Sequence, residues 1–202
     1  MAGRGRLGRD WTSPKGNLQA STLIRLHPTD PAVSGLGLML GVAVHAALAG
    51  LMPSAAFQLK WPNDVMLGAA KLSGMLLERE GDCVVMGVGV NVREAPRLPD
   101  RETIALADLE GGQGWTADDV LNALVPAFDH WLATWREGGT AAIVGAWLQR
   151  AHPIGTRLSV STATHLPQQG RFLGLDADGA LILGLDDGTS HVIHSGDVGV
   201  LP

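Results

Sequence analysis

The sequence contains no tyrosine and a single cysteine, Cys83. One thiol excludes an internal disulfide and suits a reducing compartment. Within the apolar run "CVVMGVGV" it reads as a buried strand thiol. Aromatic residues make up 4% of the chain and do not interleave with basic ones, which counts against a nucleic-acid surface on a chain of net charge −5. The first residues lack the apolar segment of a secretory signal. One stretch, residues 33–52, is apolar over a membrane-spanning length. It holds His45 and several glycines and is predicted as a core helix, apolar all round because it is buried all round. The chain is therefore expected to be cytoplasmic, with neither membrane nor nucleic acid as a partner.

Apolar residues make up 46% of the 202 positions, enough for the core of one moderate domain with a small appendage and too many for global disorder. Charge is unevenly spread. Residues 1–25 hold five bases and one acid, net +4, while the rest hold ten bases and nineteen acids, net −9. A basic loop on an acidic body points to a local anionic ligand.

Residues 1–20 show neither helical nor strand period and read as an ordered loop. Strands are predicted at 21–26 and 57–61, a helix at 33–52, and an antiparallel hairpin from 71–80 and 83–92 about the Gly81-Asp82 turn. Residues 93–116 read as irregular. Thr116, with acids just after it, caps a helix that Gly138 closes, and a second helix spans about 140–150. After His152-Pro153 come short strands separated by "DADG" and "DDG" turns, the pattern of a small β-barrel. The expected class is α+β. Residues 1–152 would form a mixed or antiparallel central sheet backed by helices, and residues 153–202 a small second domain.

"GRGRLGR" (3–9) fits the Gly-x-Gly-x-x-Gly spacing of a dinucleotide-binding turn, but that turn needs a strand before it and a helix after it. Only Met1 and Ala2 stand before Gly3, and Pro14 and Gly16 keep the following residues from being helical. A disordered RNA-binding tail would not run at once into Trp11 and a strand. What remains is a loop whose glycines let the backbone approach a ligand and whose arginines neutralise phosphate or carboxylate, or else a solvated charge run. "KWPND" (60–64) ends a predicted strand in a turn at Pro62 that exposes Asn63 and Asp64, and Lys71 opens the next strand in "KLSG". Singly, Asn63 and Asp64 are ordinary turn formers and Lys71 an ordinary snorkelling lysine. With the loop, they are the parts needed to activate a carboxylic acid with a nucleoside triphosphate. Lys and Arg would balance charge on the α-phosphate, and Asp could hold a metal or accept a proton. Asn91, after "GVGV", suits adenine or a plain strand-end turn.

In this order and spacing, "AGRGRLGRDWTSPKGNL", "KWPND", "KLSGMLLE", "GVGVNV" and the terminal "HSGDV" resemble the bacterial biotin–protein ligases over essentially the whole chain. The resemblance implies a catalytic domain like that of class II aminoacyl-tRNA synthetases, followed by an SH3-like β-barrel. It also implies two half-reactions: biotin and Mg-ATP give biotinyl-5′-AMP and pyrophosphate, and a lysine of a biotin carboxyl carrier domain then displaces AMP. Lys71, Asp64 and Arg6 would be catalytic. Arg4 and Arg6 would retain the adenylate, Gly3, Gly5 and Gly8 would let the loop fold over it, and Arg9 would lie near the nucleotide. Trp61, Asn63, Lys71, Gly74 and Asn91 would complete the ligand site, Asn63 also lying near Mg2+. ATP and Mg2+ are the implied cofactors, biotin the substrate and the carrier domain the partner; a homodimer is compatible with the sequence.

Relatives carry a further strand and helix ahead of the loop, with a Ser/Thr-Asn stretch and a glutamine that serve biotin. This sequence starts at Met1-Ala2-Gly3, so the catalytic domain is expected to be N-terminally truncated, one wall of the biotin pocket short, and without a DNA-binding region. A start codon assigned too late, a truncated chain and a shortened paralogue all fit. Two other functions stay open: a weakly active or inactive paralogue that binds nucleotide or carrier, and a lipoate–protein ligase. The arginine–glycine loop and the terminal strands argue against the latter.

Overall fold

A computed structural model describes residues 3–5, 10–12, 14–99, 101–162 and 167–201. Two short strands, β1 (Gly3–Arg4) and β2 (Asp10–Trp11), pair antiparallel and lead into a five-stranded sheet. That sheet contains β3 (Leu18–Arg25), β4 (Phe57–Lys60), β5 (Asp64–Leu67), β6 (Ala70–Glu80) and β7 (Cys83–Val90). Their order is β3-β7-β6-β5-β4, and every pair is antiparallel. Period-2 alternation divides its two faces. On β7, Val84, Met86, Val88 and Val90 point into the core, while Val85, Gly87 and Gly89 point to the opposite face.

The buried face is covered by helix α1 (Gly35–Leu51), which packs against strands β4 to β6 and against helix α2 (Ala117–Leu148). Leu36, Met39, Leu40, Val44 and Leu48 of α1 are almost wholly buried, which explains why the helix is apolar all round. Among the described residues no helix is long and apolar enough to cross a membrane. At the start of α2, Thr116 Oγ1 accepts from Asp119 N–H and the Asp119 carboxylate accepts from Thr116 N–H, a reciprocal cap. The break expected at Gly138 falls one residue on: Gly139 has φ 70° and ψ −174°, and the chain resumes helical form beyond it. The far end of α2 seals an open edge, because Leu59 N–H on β4 donates to Arg150 O at 2.7 Å.

Residues 157–200 form a second antiparallel sheet of β8 (Arg157–Ser161), β9 (Gln168–Leu175), β10 (Leu181–Gly184), β11 (Ser190–Ile193) and β12 (Asp197–Val200), in order β11-β10-β9-β8-β12. The α+β class is thus as expected, with differences of detail: β1 and β2 form within the stretch expected to be a loop, and Cys83 at the start of β7 is only half-buried. β3 begins at Leu18, three residues earlier than predicted, because its alternation is blurred by exposed Gln19 and Ser21. β5 was not anticipated: its four residues, "DVML", follow the "KWPND" turn directly and are too short to show a period. The last predicted strand splits at His194–Gly196 into β11 and β12.

The two sheets meet at the β4–β5 hairpin. Trp61 is buried there, and its Nε1–H donates to Gly179 O at 3.1 Å in the β9–β10 connection. Trp147 and Phe172 pack edge-to-face nearby, with centroids 6.3 Å apart. Trp61→Phe keeps most of the ring but removes this donor, leaving a buried carbonyl unpaired. Urea denaturation should show a loss of about 1 kcal/mol; an unchanged midpoint would mean that the bond does not hold the two sheets together.

Candidate active site

The turn that joins β4 to β5 comprises Trp61, Pro62 and Asn63, with a cis peptide bond between Trp61 and Pro62, and it closes on the cross-strand pair Lys60–Asp64. Asn63 is locked to the neighbouring strand β6: its carbonyl accepts from Met75 N–H at 3.0 Å, and its Nδ2 donates to Met75 O at 2.5 Å. These bonds place Asp64 opposite Gly74, on the face turned away from the helices. A glycine opposite leaves the space above the carboxylate open.

Two lysines fill part of that space. Lys60 Nζ lies 3.0 Å from one Asp64 oxygen and Lys71 Nζ 2.5 Å from the other, with Asp64 only 6% exposed. Burial alone would raise the Asp64 pKa, but the charges and hydrogen bonds of Lys71 and Lys60 win and hold it below the ordinary carboxylate range. Burial also lowers the Lys71 pKa; Asp64 opposes that fall, while the charges of Lys60 and Arg101 add to it. Lys60 is fixed further by donating to Val198 O at 2.9 Å on β12. The three side chains carry one net positive charge, which suits an anion at this end of the sheet.

Beside them, Lys71 Nζ stands 5.4 Å from the centroid of the Trp11 ring. Trp11 lies flat on a glycine floor. A Cβ on Gly89 would fall 2.4 Å from the indole, and one on Gly74 would fall 2.9 Å from it and 3.0 Å from Lys71 Nζ. At these positions glycine is required for close approach, not for turning.

Gly5, Asn63, Asp64, Lys71, Gly74 and Asn91, all singled out from sequence, line one cavity of about 660 Å³. Asn91 is 2% exposed and buttresses the start of β6, its Nδ2 donating to Ile104 O at 3.2 Å and reaching Lys71 O at 3.5 Å. Its Oδ1 is buried without a partner among the described residues. Gly3 and Arg4 belong to β1, whose backbone pairs with Trp11 and Asp10. Arg6, Gly8 and Arg9 lie outside the described residues. Trp61 is placed elsewhere than its ligand-site assignment requires. Its indole faces the C-terminal sheet, since the tight turn swings it away from the side on which Asp64 opens.

Sequence reasoning did not pick out Lys60, Trp11, Gly89 or Arg101 as site residues. Lys60 and Trp11 stood inside the quoted motifs, and Gly89 inside the alternating "GVGV". Arg101 has no motif; backbone bonds bring it in, as Lys71 N–H donates to Glu102 O at 2.9 Å and Ile104 N–H donates to Lys71 O at 3.1 Å.

Asp64→Asn leaves two buried ammonium groups without a counter-charge and should cost about 3 kcal/mol in urea denaturation at neutral pH. Lys71→Met should cost less, because Lys60 still answers the carboxylate. A depressed carboxyl pKa stabilises the fold above the unfolded value and ceases to do so as pH falls through the folded one. The gap between wild type and Asp64→Asn should therefore close only below the ordinary carboxylate range. A gap already lost near neutral pH would contradict the ion-pair geometry.

Residues 1–91 match the model of the biotin/lipoate A/B protein ligase family, and residues 166–200 that of the biotin protein ligase C terminal domain. The chain is 38% identical over 194 residues to a biotin--[acetyl-CoA-carboxylase] ligase of Paracoccus denitrificans, covering 91% of this chain and 80% of that one. It is 32% identical to the enzyme of the same name from Mycobacterium tuberculosis, covering 98% and 74%. Against the bifunctional ligase/repressor BirA of Bacillus subtilis the identity is 31%, over 98% of this chain and 62% of that protein. Among solved structures, a biotin protein ligase from Aquifex aeolicus in complex with biotin and ATP superimposes with a TM-score of 0.85 at 27% identity, covering 98% and 84% of the two chains.

Proposed function

The chain belongs to the biotin protein ligase family, and we propose that it activates biotin with ATP and passes the biotinyl group to a lysine of a biotin carboxyl carrier domain. The observation that carries the reading is the buried Lys60–Asp64–Lys71 cluster, at the head of a glycine-floored cavity large enough for an acyl-adenylate. The match of residues 166–200 to a biotin-ligase domain favours biotin over lipoate.

In the first half-reaction a biotin carboxylate oxygen attacks the α-phosphorus of ATP, and the bond to the β-phosphate oxygen breaks, releasing pyrophosphate. Negative charge grows on the α-phosphate oxygens. Lys71, held as an ammonium by Asp64 and already desolvated, is placed to meet it without reorganisation. In the second, the amine of the carrier lysine attacks the biotinyl carbonyl carbon, the bond to the phosphate oxygen breaks to release AMP, and the proton on nitrogen passes to water. Asp64 is fixed as an ionised carboxylate of low basicity, so its part is to orient the incoming amine rather than to take its proton.

Asn91 Oδ1, buried and without a partner among the described residues, suits a donor such as the adenine amino group, while its Nδ2 is spent on the backbone. Magnesium would arrive with the triphosphate and neutralise it. Both oxygens of Asp64 already answer ammonium groups, so the neutral side-chain oxygen of Asn63 is the better single ligand from this chain. Arg4, Arg6 and Arg9 would retain the adenylate and exclude water from the mixed anhydride. Residues 1–152 are the catalytic domain and 153–202 a second domain of a cytoplasmic enzyme.

Incubation with biotin, Mg-ATP and a carrier domain should give one biotinylated lysine on the carrier; no adenylate and no labelled carrier would remove the ligase reading. Lys71→Ala should slow pyrophosphate release about a hundredfold or more with circular dichroism unchanged, and release at the wild-type rate would remove Lys71 from the reaction. Arg6→Gly should form adenylate but lose it, labelling bystander lysines; unchanged retention would count against closure of the loop.

A further inference from the structure

One side chain outside the cavity ties its two walls together. Asn17 Oδ1 accepts from the backbone N–H groups of Val92 (3.0 Å), Arg93 (2.9 Å) and Glu94 (3.2 Å), and Asn17 Nδ2 donates to Glu94 O (2.7 Å). Three successive amides converging on one oxygen make the kind of concave donor set that binds anions, here filled by an amide oxygen. The preceding turn is shaped for this approach. Asn17 N–H donates to Pro14 O at 3.2 Å, Gly16 has φ 93°, and a Cβ on Gly16 would stand 2.7 Å from Arg93 Cγ.

Asn17 does not line the cavity, but both segments it joins do. On its N-terminal side stand Trp11 and Thr12; on the other side stand Asn91 and, past Glu94, Pro96, Leu98 and Arg101. Asn91 and Val92 are also held from below, through Leu106 N–H to Asn91 O at 2.9 Å and Ala107 N–H to Val92 O at 3.0 Å. The amides of Arg93 and Glu94, where the chain leaves the sheet to form the wall, are met by Asn17.

We propose that Asn17 is a positioning residue that sets the width of the nucleotide cavity by holding the Trp11 wall against the 93–101 wall, an inference that rests on the ligase reading. Removing its oxygen frees three amides and lets the outer wall drift, which weakens ATP binding. The Lys60–Asp64–Lys71 ion pairs are made within β4, β5 and β6 and do not depend on Asn17.

The test is ATP affinity of the full chain by calorimetry, with the KM for ATP in adenylate formation beside it. Asn17→Ala should raise both constants about tenfold, the equivalent of one or two net hydrogen bonds, and leave kcat nearly unchanged. Asn17→Asp keeps an oxygen on the three amides and should recover most of the affinity. A loss of global stability alone would lower the folded fraction and hence the amplitude, without raising KM. Wild-type affinity in Asn17→Ala, or equal weakness in Asn17→Asp and Asn17→Ala, would overturn the inference. A wild-type chain that binds ATP yet forms no adenylate would remove the ligase reading, while the affinity series would still decide the role of Asn17. A wild-type chain that binds no ATP would overturn both.

Discussion

A carboxylate almost out of water, with an ammonium group on each of its oxygens, governs the arrangement of this protein. Asp64 cannot be buried alone, and neither Lys60 nor Lys71 can be buried beside the other without it. Each member of the cluster comes from a different strand position: the end of β4, the start of β5 and the start of β6. The cluster therefore exists only if the β4–β5 hairpin closes tightly and β6 pairs in register. It also reaches the second sheet, because Lys60 bonds Val198 O on β12 while Asp64 faces the cavity. Charge chemistry and the joining of the two sheets thus pass through the same few residues.

The glycines belong to the same constraint. A ligand-sized cavity on an open sheet face needs strands without side chains there, and Gly74, Gly87 and Gly89 supply them between flanking buried residues that point the other way. Trp11 lies on that floor against Lys71, so the loop that precedes β3 is in contact with the charged cluster. Asn17, on the same side of the cavity, holds residues 92–94 of the opposite wall.

How much of this could be read from the sequence varied with the physics behind each part. α1 was legible because burial on all sides leaves an unbroken apolar run, and the β6–β7 hairpin because a Gly-Asp turn joins two long strands. The convergence of Asn63, Asp64, Lys71, Gly74 and Asn91 was legible through motif order. β5 was hidden by its length, and the orientation of Trp61 by the hairpin geometry, which no residue pattern encodes. Lys60 and Asn17 act through partners 138 and 77 positions away at the farthest, distances over which a single sequence carries no signal. Arg101 is likewise brought in by backbone bonds of its neighbours Glu102 and Ile104 to Lys71 at the start of β6.

Asp64 stays ionised between two ammonium groups and so offsets the cost of burying Lys71. Carbon-13 NMR of the Asp64 side-chain carboxyl, followed across a pH titration of the intact protein, measures this directly. The resonance should hold its ionised position through the range in which exposed aspartates protonate, and move only at lower pH. Titration of Asp64 together with the exposed aspartates, or above them, would contradict it.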